Sequence, residues 1–200
     1  MLYNKMTNKN IYSHRLVFVD TEFTDFINTD LISLGAVTED GKHEFYCELK
    51  DYNVKASSEF VRNVVEPMLD LNKFGMFRSE ASARFFCWLE ELGDEYAICP
   101  DYSGDWEIIA DLLEVLPANI SPKPIMLHTY LNSQILAKAN ELQTPDFKWF
   151  FESAKRQYNE GFLEYFLRNP YPKQHHALAD AKANRQGYFK SLSWLGTHGY

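Results

Sequence analysis

The feature that most constrains this chain is a short apolar segment that ends in two acidic residues. Residues 16–19 are β-branched, aromatic or aliphatic, as expected of a buried central strand, and Asp20 and Glu22 follow at once. Side chains in a strand alternate between faces, so Asp20 and Glu22 point one way while Thr21 points the other. Two neighbouring carboxylates resist burial unless a positive charge lies between them. The segment therefore predicts either a strand that ends in a polar loop or a divalent-metal site.

Length and composition favour one folded domain. The 200 residues, of which 46% are hydrophobic, suffice for one well-buried core and hardly for two. The formal net charge of -8 argues against a protein coated for nonspecific DNA binding. Residues 138–200 nevertheless hold nine of the 20 basic side chains and six of the 28 acidic ones. A nucleic-acid partner is therefore expected to contact this C-terminal third.

The sequence predicts a cytoplasmic protein. Residues 1–15 lack the apolar core of a signal peptide, and no run approaches the roughly 20 apolar residues that span a bilayer. The three cysteines, Cys47, Cys87 and Cys99, lack a metal-binding spacing. An odd number of cysteines in apolar settings is typical of reduced, buried thiols.

The order of predicted elements is that of a mixed α/β domain, with helices on both faces of a central sheet. Residues 31–37 and 43–49 are predicted to pair as antiparallel strands across an Asp-Gly turn. The other predicted strands are 96–99 and 125–128. The predicted helices are 77–92, 106–116, 131–142, most of 146–168, and 176–192. Residues 50–75 are predicted to be irregular apart from a short helix up to Pro67, with Gly75 as a break.

Two further segments carry acids close to the ends of predicted elements. The strand at 96–99 runs into Asp101 and Asp105, and Asp105 lies at the cap or in the first turn of the next helix. Near the C-terminus, His175 and His176 precede a helix whose first turns contain Asp180. Capping or the helix dipole accounts for any one of these acids, so each is a weak signal alone.

Taken together and in this order, Asp-x-Glu at 20–22, Asp105, and His-x-x-x-x-Asp at 175–180 resemble the motifs of the DEDDh 3′-to-5′ exonucleases. That superfamily includes ribonuclease T, oligoribonuclease and the proofreading exonucleases. The resemblance covers about residues 15–192, and the segment 18–26 is most similar to a small bacterial 3′-to-5′ exoribonuclease branch. It implies one exonuclease domain over 1–200, with an RNase H-like mixed sheet of about five strands flanked by helices.

The resemblance assigns roles residue by residue. Asp20, Glu22, Asp105 and Asp180 match the four acids that bind two divalent cations, and His175 matches the general base. Oxygen ligands select Mg²⁺ or Mn²⁺ over Zn²⁺. The implied reaction is two-metal hydrolysis of phosphodiester bonds from the 3′ end of single-stranded RNA, which releases nucleoside 5′-monophosphates.

Two assignments stay open at this point. His176 lies one helical turn from Asp180 and is the competing base, although the family spacing favours His175. Relatives often carry asparagine where this chain has Asp101, so Asp101 is either structural or an added acid at the site.

The implied partner is the 3′ end of a single-stranded nucleic acid, RNA in preference to DNA. Phe23 and Phe26 are assigned to the substrate, since aromatic side chains stack on unpaired bases, and Thr21 between the two acids is assigned with them. The candidates for binding phosphate are Lys155, Arg156, Lys173 and Arg185. Relatives are commonly dimers, and the aromatic stretch 146–168 is the predicted homodimer interface.

Three other functions are compatible with parts of this pattern. One is a DNA-directed or proofreading exonuclease of the same superfamily, although these 200 residues include no polymerase domain. Another is a catalytically silent member that binds nucleic acid or a partner protein, although a silent copy is expected to lose an acid or the histidine. The last is a plain α/β domain whose acids are caps and turn residues, although chance hardly supplies all three motifs in the right order.

Overall fold

A mixed five-stranded sheet lies at the centre of a computed structural model that describes residues 14–171 and 173–197. Its strands are β1 (Arg15–Phe23), β2 (Leu31–Thr38), β3 (Glu44–Leu49), β4 (Gly75–Met76) and β5 (Tyr96–Pro100). The order across the sheet is β4-β3-β2-β1-β5. The pairs β1–β2 and β2–β3 are antiparallel, whereas β3–β4 and β1–β5 are parallel. The predicted α/β class with about five strands is confirmed, and the arrangement is consistent with an RNase H-like fold.

Helices cover both faces of this sheet, as predicted. They are α1 (Arg78–Glu91), α2 (Ser103–Leu113), α3 (Leu127–Leu142), α4 (Phe147–Arg168) and α5 (Ala177–Thr197). Because the side chains of β1 alternate between the two faces of the sheet, they pack against two different sets of helices. Val17 and Val19 pack in one apolar cluster with α1 and α2, while Leu16 and Phe18 pack in another with α3, α4 and α5.

The alternation continues into the acidic end of β1. Thr21 lies on the same face as Val17 and Val19, and its hydroxyl donates a hydrogen bond to Asp105 of α2 at 2.6 Å. Asp20 and Glu22 therefore fall on the other face, in line with Leu16 and Phe18. This is the orientation that the sequence predicts.

The predicted strand at 125–128 is wrong. Helix α3 already begins at Leu127, and Leu127, Leu131 and Ile135 are buried at the i, i+4 spacing of a helix face. The backbone N–H of Ile125 donates to the carbonyl of Ile98 in β5 at 2.9 Å, but residues 125–128 are not part of a strand. The fifth strand is instead the two-residue β4, at the position where Gly75 was predicted to break the chain.

Two smaller expectations concern the thiols and the chain ends. Cys47 and Cys99 are buried, but Cys87 is exposed, so its predicted burial is wrong. Cys87 lies on the side of α1 opposite to the buried Phe85 and Leu89.

None of the helices in the described part of the chain is both long and apolar enough to cross a bilayer. Most of residues 1–15 and both ends of the predicted domain 1–200 lie outside the described residues.

Candidate metal centre

A cavity of about 540 Å³ opens where β1 and β5 end, and we call it the acidic cavity. Asp20 and Glu22 reach it from the end of β1, Asp105 from the first turn of α2, and Asp180 from the first turn of α5. Because β1 and β5 are parallel neighbours, their carboxyl ends meet at the same edge of the sheet. The fold therefore brings the four predicted acids, from three separate segments, to one place.

The ligand atoms around this cavity fall into two compact groups. Within each group, one ligand atom of every residue lies within 4.8 Å of the others. The first group consists of Asp20, Asp101 and Asp105, and the second consists of Glu22, His175 and Asp180. Metal–oxygen bonds of about 2.0–2.6 Å place two ligands of one cation at most about 4–5 Å apart. Each group thus has the dimensions of a cation site.

Two of the carboxylates are buried with one oxygen left unpaired. Asp105 is 2% exposed, and its Oδ1 accepts the hydrogen bond from Thr21, while Oδ2 has no partner among the described residues. Asp180 is 8% exposed. Its Oδ2 accepts from the backbone N–H of His175 at 2.8 Å, and its Oδ1 has no described partner. Leaving buried carboxylate oxygens unpaired is unfavourable, and a bound cation would satisfy them.

The electrostatics of the cavity also favour a bound cation. Burial, followed by the charges of neighbouring carboxylates, raises the pKa of Asp20 well above its usual value and that of Glu22 to about 8. Burial also raises the pKa of Asp105 and of Asp180 to about 7, against the hydrogen bonds that each accepts. No lysine or arginine occurs among the described residues that line the cavity. A divalent cation would relieve this repulsion and lower the four pKa values.

The two adjacent histidines lie in different surroundings. His175 lines the acidic cavity, and its ring meets the ring of Phe60 edge to face at 5.0 Å. The ring of His176 instead stacks on Tyr46 at 4.4 Å and is not among the residues of the cavity wall. Burial lowers the pKa of both imidazoles. Of the two, His175 is the one next to the acids.

Aromatic side chains form much of the remaining wall. Phe23 and Phe26 meet at 5.2 Å, and Tyr102 lies over Phe23 at 6.4 Å. Phe60 and Phe162 also line the cavity. The sequence interpretation named Phe23 and Phe26 and missed the other three. Tyr102 could have been found, because it lies two residues after β5, at the edge of the sheet where β1 and β5 end. Phe60 and Phe162 come from segments with no local signal.

None of the four predicted phosphate-binding cations borders the acidic cavity. Lys155 lies over the ring of Phe151 at 5.6 Å, and Arg156 and Lys173 are exposed. Arg185 lines a second cavity, of about 680 Å³, between α4, α5 and the turn from β2 to β3. We call this second cavity the basic groove.

The basic groove carries an excess of positive charge. Its charged side chains are Arg168, Lys182, Arg185, Lys190, Glu44 and Glu164. Glu44 pairs with Lys182 at 2.6 Å, and Glu164 pairs with Lys190 and lies 3.7 Å from Arg168. Arg185 donates through Nε to the carbonyl oxygen of Glu39 at 2.7 Å and forms no ion pair with a described residue. Its guanidinium also lies over the ring of Phe189 at 5.1 Å, and no carboxylate of the described residues neutralises its charge.

Comparison with known proteins does not test the motif resemblance. Neither a family model nor a curated protein matches the chain. The DEDDh resemblance consequently rests on the motif residues alone and stays a prediction. The convergence of those residues on one cavity is a separate, geometric observation.

Proposed function

We propose that this chain is a metal-dependent 3′-to-5′ exonuclease that acts on single-stranded RNA. The observation that carries the proposal is the convergence of Asp20, Glu22, Asp105, Asp180 and His175 on one cavity, with unpaired buried oxygens on two of the acids. The motif order in the sequence supports the same reading. An acidic cluster alone has many uses, whereas acids and a histidine from three distant segments in this order are typical of the DEDDh group.

In this proposal the four acids hold two divalent cations. Their oxygens, with one imidazole nearby and no thiolate among the described residues of the cavity wall, favour Mg²⁺ or Mn²⁺ over Zn²⁺. When bound, such cations acidify the attacking water and compensate the charge on the leaving oxygen. The hydroxyl of Thr21 orients Asp105, and the backbone N–H of His175 orients Asp180. Each hydrogen bond fixes one carboxylate oxygen and leaves the other free for a cation.

His175 is the proposed general base. Burial lowers the pKa of its imidazole below the usual value, so the ring is neutral at pH 7 and can accept a proton from water. The water oxygen then bonds to phosphorus, while the bond from phosphorus to the 3′ oxygen of the preceding nucleotide breaks. The terminal nucleotide leaves as a 5′-monophosphate. The released 3′ oxygen takes up a proton from solvent to become a hydroxyl, and His175 returns the proton it accepted to solvent.

The acidic cavity and the basic groove could bind different parts of one single-stranded RNA. Phe23, Phe26 and Tyr102 offer ring faces and edges for the terminal base. Phe162 of α4 lines the acidic cavity, and Tyr165, about one helical turn further on, lines the basic groove. A strand whose 3′ end lies among the acids can therefore place its upstream phosphates along the groove.

Location and assembly are part of the same proposal. The free thiols of Cys47, Cys87 and Cys99 suit a reducing cytoplasm. On the predicted dimer stretch, Leu163 and Leu167 are 58% and 82% exposed, whereas Phe150 belongs to the core. We propose that the outer face of α4 contacts a second copy of the chain, and light scattering on the purified protein measures this directly.

The experiment that tests the proposed function is a time course on 5′-labelled single-stranded RNA and DNA of one sequence. It is run with Mg²⁺, Mn²⁺ or EDTA, and with the Asp105→Asn and Asp111→Asn proteins. Asp111 is on the same helix as Asp105 but outside the acidic cavity, so it is the matched control. We expect metal-dependent shortening in the wild type and in Asp111→Asn, and none in Asp105→Asn. Faster cleavage of DNA would favour the alternative substrate, and no cleavage by a folded, metal-bound protein would favour a silent binding protein.

A further inference from the structure

Asp101, the acid whose role the sequence leaves open, occupies a defined position beside Asp20. It is the first residue after β5, which runs parallel to β1. The register pairs Val19 with Pro100, so the next residues along the two strands, Asp20 and Asp101, lie side by side at the same edge of the sheet. Its carboxylate lines the acidic cavity.

A structural role in the turn does not account for this acid. Helix α2 begins without a side-chain hydrogen bond to its N-terminus. No lysine or arginine among the described residues forms an ion pair with Asp101, and none lines the cavity wall. A turn acid at a helix start is expected to accept backbone N–H groups. Asp101 instead lies at the cavity beside other carboxylates, which is unfavourable without a cation.

The neighbouring Asp105 supplies a second, independent observation. Ligand oxygens of Asp20, Asp101 and Asp105 lie within 4.8 Å of one another. Asp105 is 2% exposed and its Oδ2 has no described partner. A buried, unpaired oxygen next to two further carboxylates is the arrangement that a hard divalent cation satisfies.

We propose that Asp101 is a fifth carboxylate ligand of the metal centre and shares one divalent cation with Asp20 and Asp105. This inference rests on the proposed function, because it assumes that the acidic cavity binds metal. It departs from the DEDDh resemblance, in which a neutral asparagine often stands at this position.

A fifth carboxylate changes the net charge of the metal centre. Five ionised carboxylates and two divalent cations leave the centre with one negative charge, whereas four carboxylates leave it neutral. The added charge and the added ligand both favour tighter cation binding. Replacement of Asp101 by asparagine keeps the shape of the side chain and removes the charge.

The test measures metal binding without nucleic acid, by calorimetric titration of the wild-type, Asp101→Asn and Asp111→Asn proteins with Mn²⁺. We expect two bound Mn²⁺ per chain in the wild type and in Asp111→Asn. In Asp101→Asn we expect one of the two sites to bind at least about tenfold more weakly, as one charge and one ligand are lost. Thermal unfolding in EDTA checks the fold: metal-free Asp101→Asn should be at least as stable as the wild type, because one mutually repelling carboxylate is gone.

The outcomes separate the two proposals. Unchanged or tighter Mn²⁺ binding by Asp101→Asn, with normal binding by the wild type, would overturn the role of Asp101 and leave the proposed function standing. Absence of Mn²⁺ binding by the folded wild type would overturn both. Weaker binding that accompanies a lower metal-free melting temperature would also count against Asp101, since it would mark the residue as structural.

Discussion

At the scale of single residues, His175 contributes to the candidate centre through both its imidazole and its backbone. Its imidazole lines the acidic cavity, and its backbone N–H holds the carboxylate of Asp180. The backbone adopts φ of 70°, in the left-handed region that few residues other than glycine, asparagine, aspartate and histidine occupy. The residue proposed as the base therefore also determines how a proposed metal ligand is oriented.

This conformation makes the choice of substitution at position 175 consequential. His175→Ala removes the imidazole and places alanine in a disfavoured backbone conformation, whereas asparagine tolerates that conformation. We expect both variants to lose cleavage, and His175→Ala to be less stable than His175→Asn by about 1 kcal/mol in urea unfolding. Equal stabilities would contradict the role given to the backbone.

The raised pKa values of the acids predict how the metal-free protein responds to pH. Asp105 and Asp180 have a pKa of about 7 in the folded chain, against an ordinary value of 3.8. Between pH 3.8 and about pH 7, the folded state therefore binds more protons than the unfolded state, and the stability of the folded state falls as pH rises. In EDTA, the melting temperature should be lower at about pH 8 than at about pH 5.5.

Added Mg²⁺ or Mn²⁺ should restore stability at the higher pH far more than at the lower one, because ionised carboxylates are the ligands. The double variant Asp105→Asn/Asp180→Asn is the control, and it should lose a large part of the pH dependence. A metal-free melting temperature that rises from about pH 5.5 to about pH 8 would argue against the mutual repulsion described for these acids.

At the scale of elements, the position of Asp180 depends on the close contact between β2 and α5. Gly35 of β2 lies directly under the start of α5, and a methyl group added there would overlap the backbone of Ala177 and Leu178. Both segments are part of the buried core, so neither can move freely.

Gly35→Ala should therefore destabilise the protein by about 1–3 kcal/mol or more, as overpacking does. It should also weaken Mn²⁺ binding, since Asp180 follows Leu178 by two residues. Gly196→Ala on the same helix is the control, because an added methyl meets nothing within 4 Å. That change should be neutral or stabilise by up to about 1 kcal/mol. Urea unfolding compares the two, and a neutral Gly35→Ala would refute the contact.

Features that depend on neighbouring residues could be predicted from the sequence, whereas features that depend on tertiary packing could not. The acids at the end of β1 and the start of α2 could be placed because strand ends and helix starts converge at one sheet edge. The run 125–128 was assigned wrongly because a few apolar residues fit a strand or a buried helix start equally well. β4 has two residues and no pattern, and Phe60 and Phe162 reach the cavity only through tertiary packing.

At the scale of the whole molecule, charge is distributed in two adjacent cavities of opposite sign on a chain of net charge -8. In the proposed function, the acidic cavity would repel phosphate unless cations were bound, while the basic groove would attract phosphate through Arg168 and Arg185. This separation predicts that cleavage and upstream binding can be impaired independently.

Arg185→Gln should weaken binding of single-stranded RNA and lower the slope of log affinity against log salt by about 0.7, as expected for one lost phosphate contact. The measurement uses an Asp105→Asn background so that the RNA stays intact. Arg84→Gln is the control, because Arg84 lies on α1 and pairs with Glu80 away from both cavities. An Arg185→Gln protein with unchanged affinity and salt slope would exclude the groove from the RNA path.

The measurement that tests the central claim most directly follows one RNA labelled at either end. With Mg²⁺, the proposed exonuclease should release the 3′ label at once as a labelled nucleoside 5′-monophosphate, while the 5′ label moves through successively shorter products. Both reactions should stop in EDTA and in Asp105→Asn, and continue in Asp111→Asn. Release of the 5′ label first, internal cuts, or intact RNA with a metal-bound protein would contradict the account.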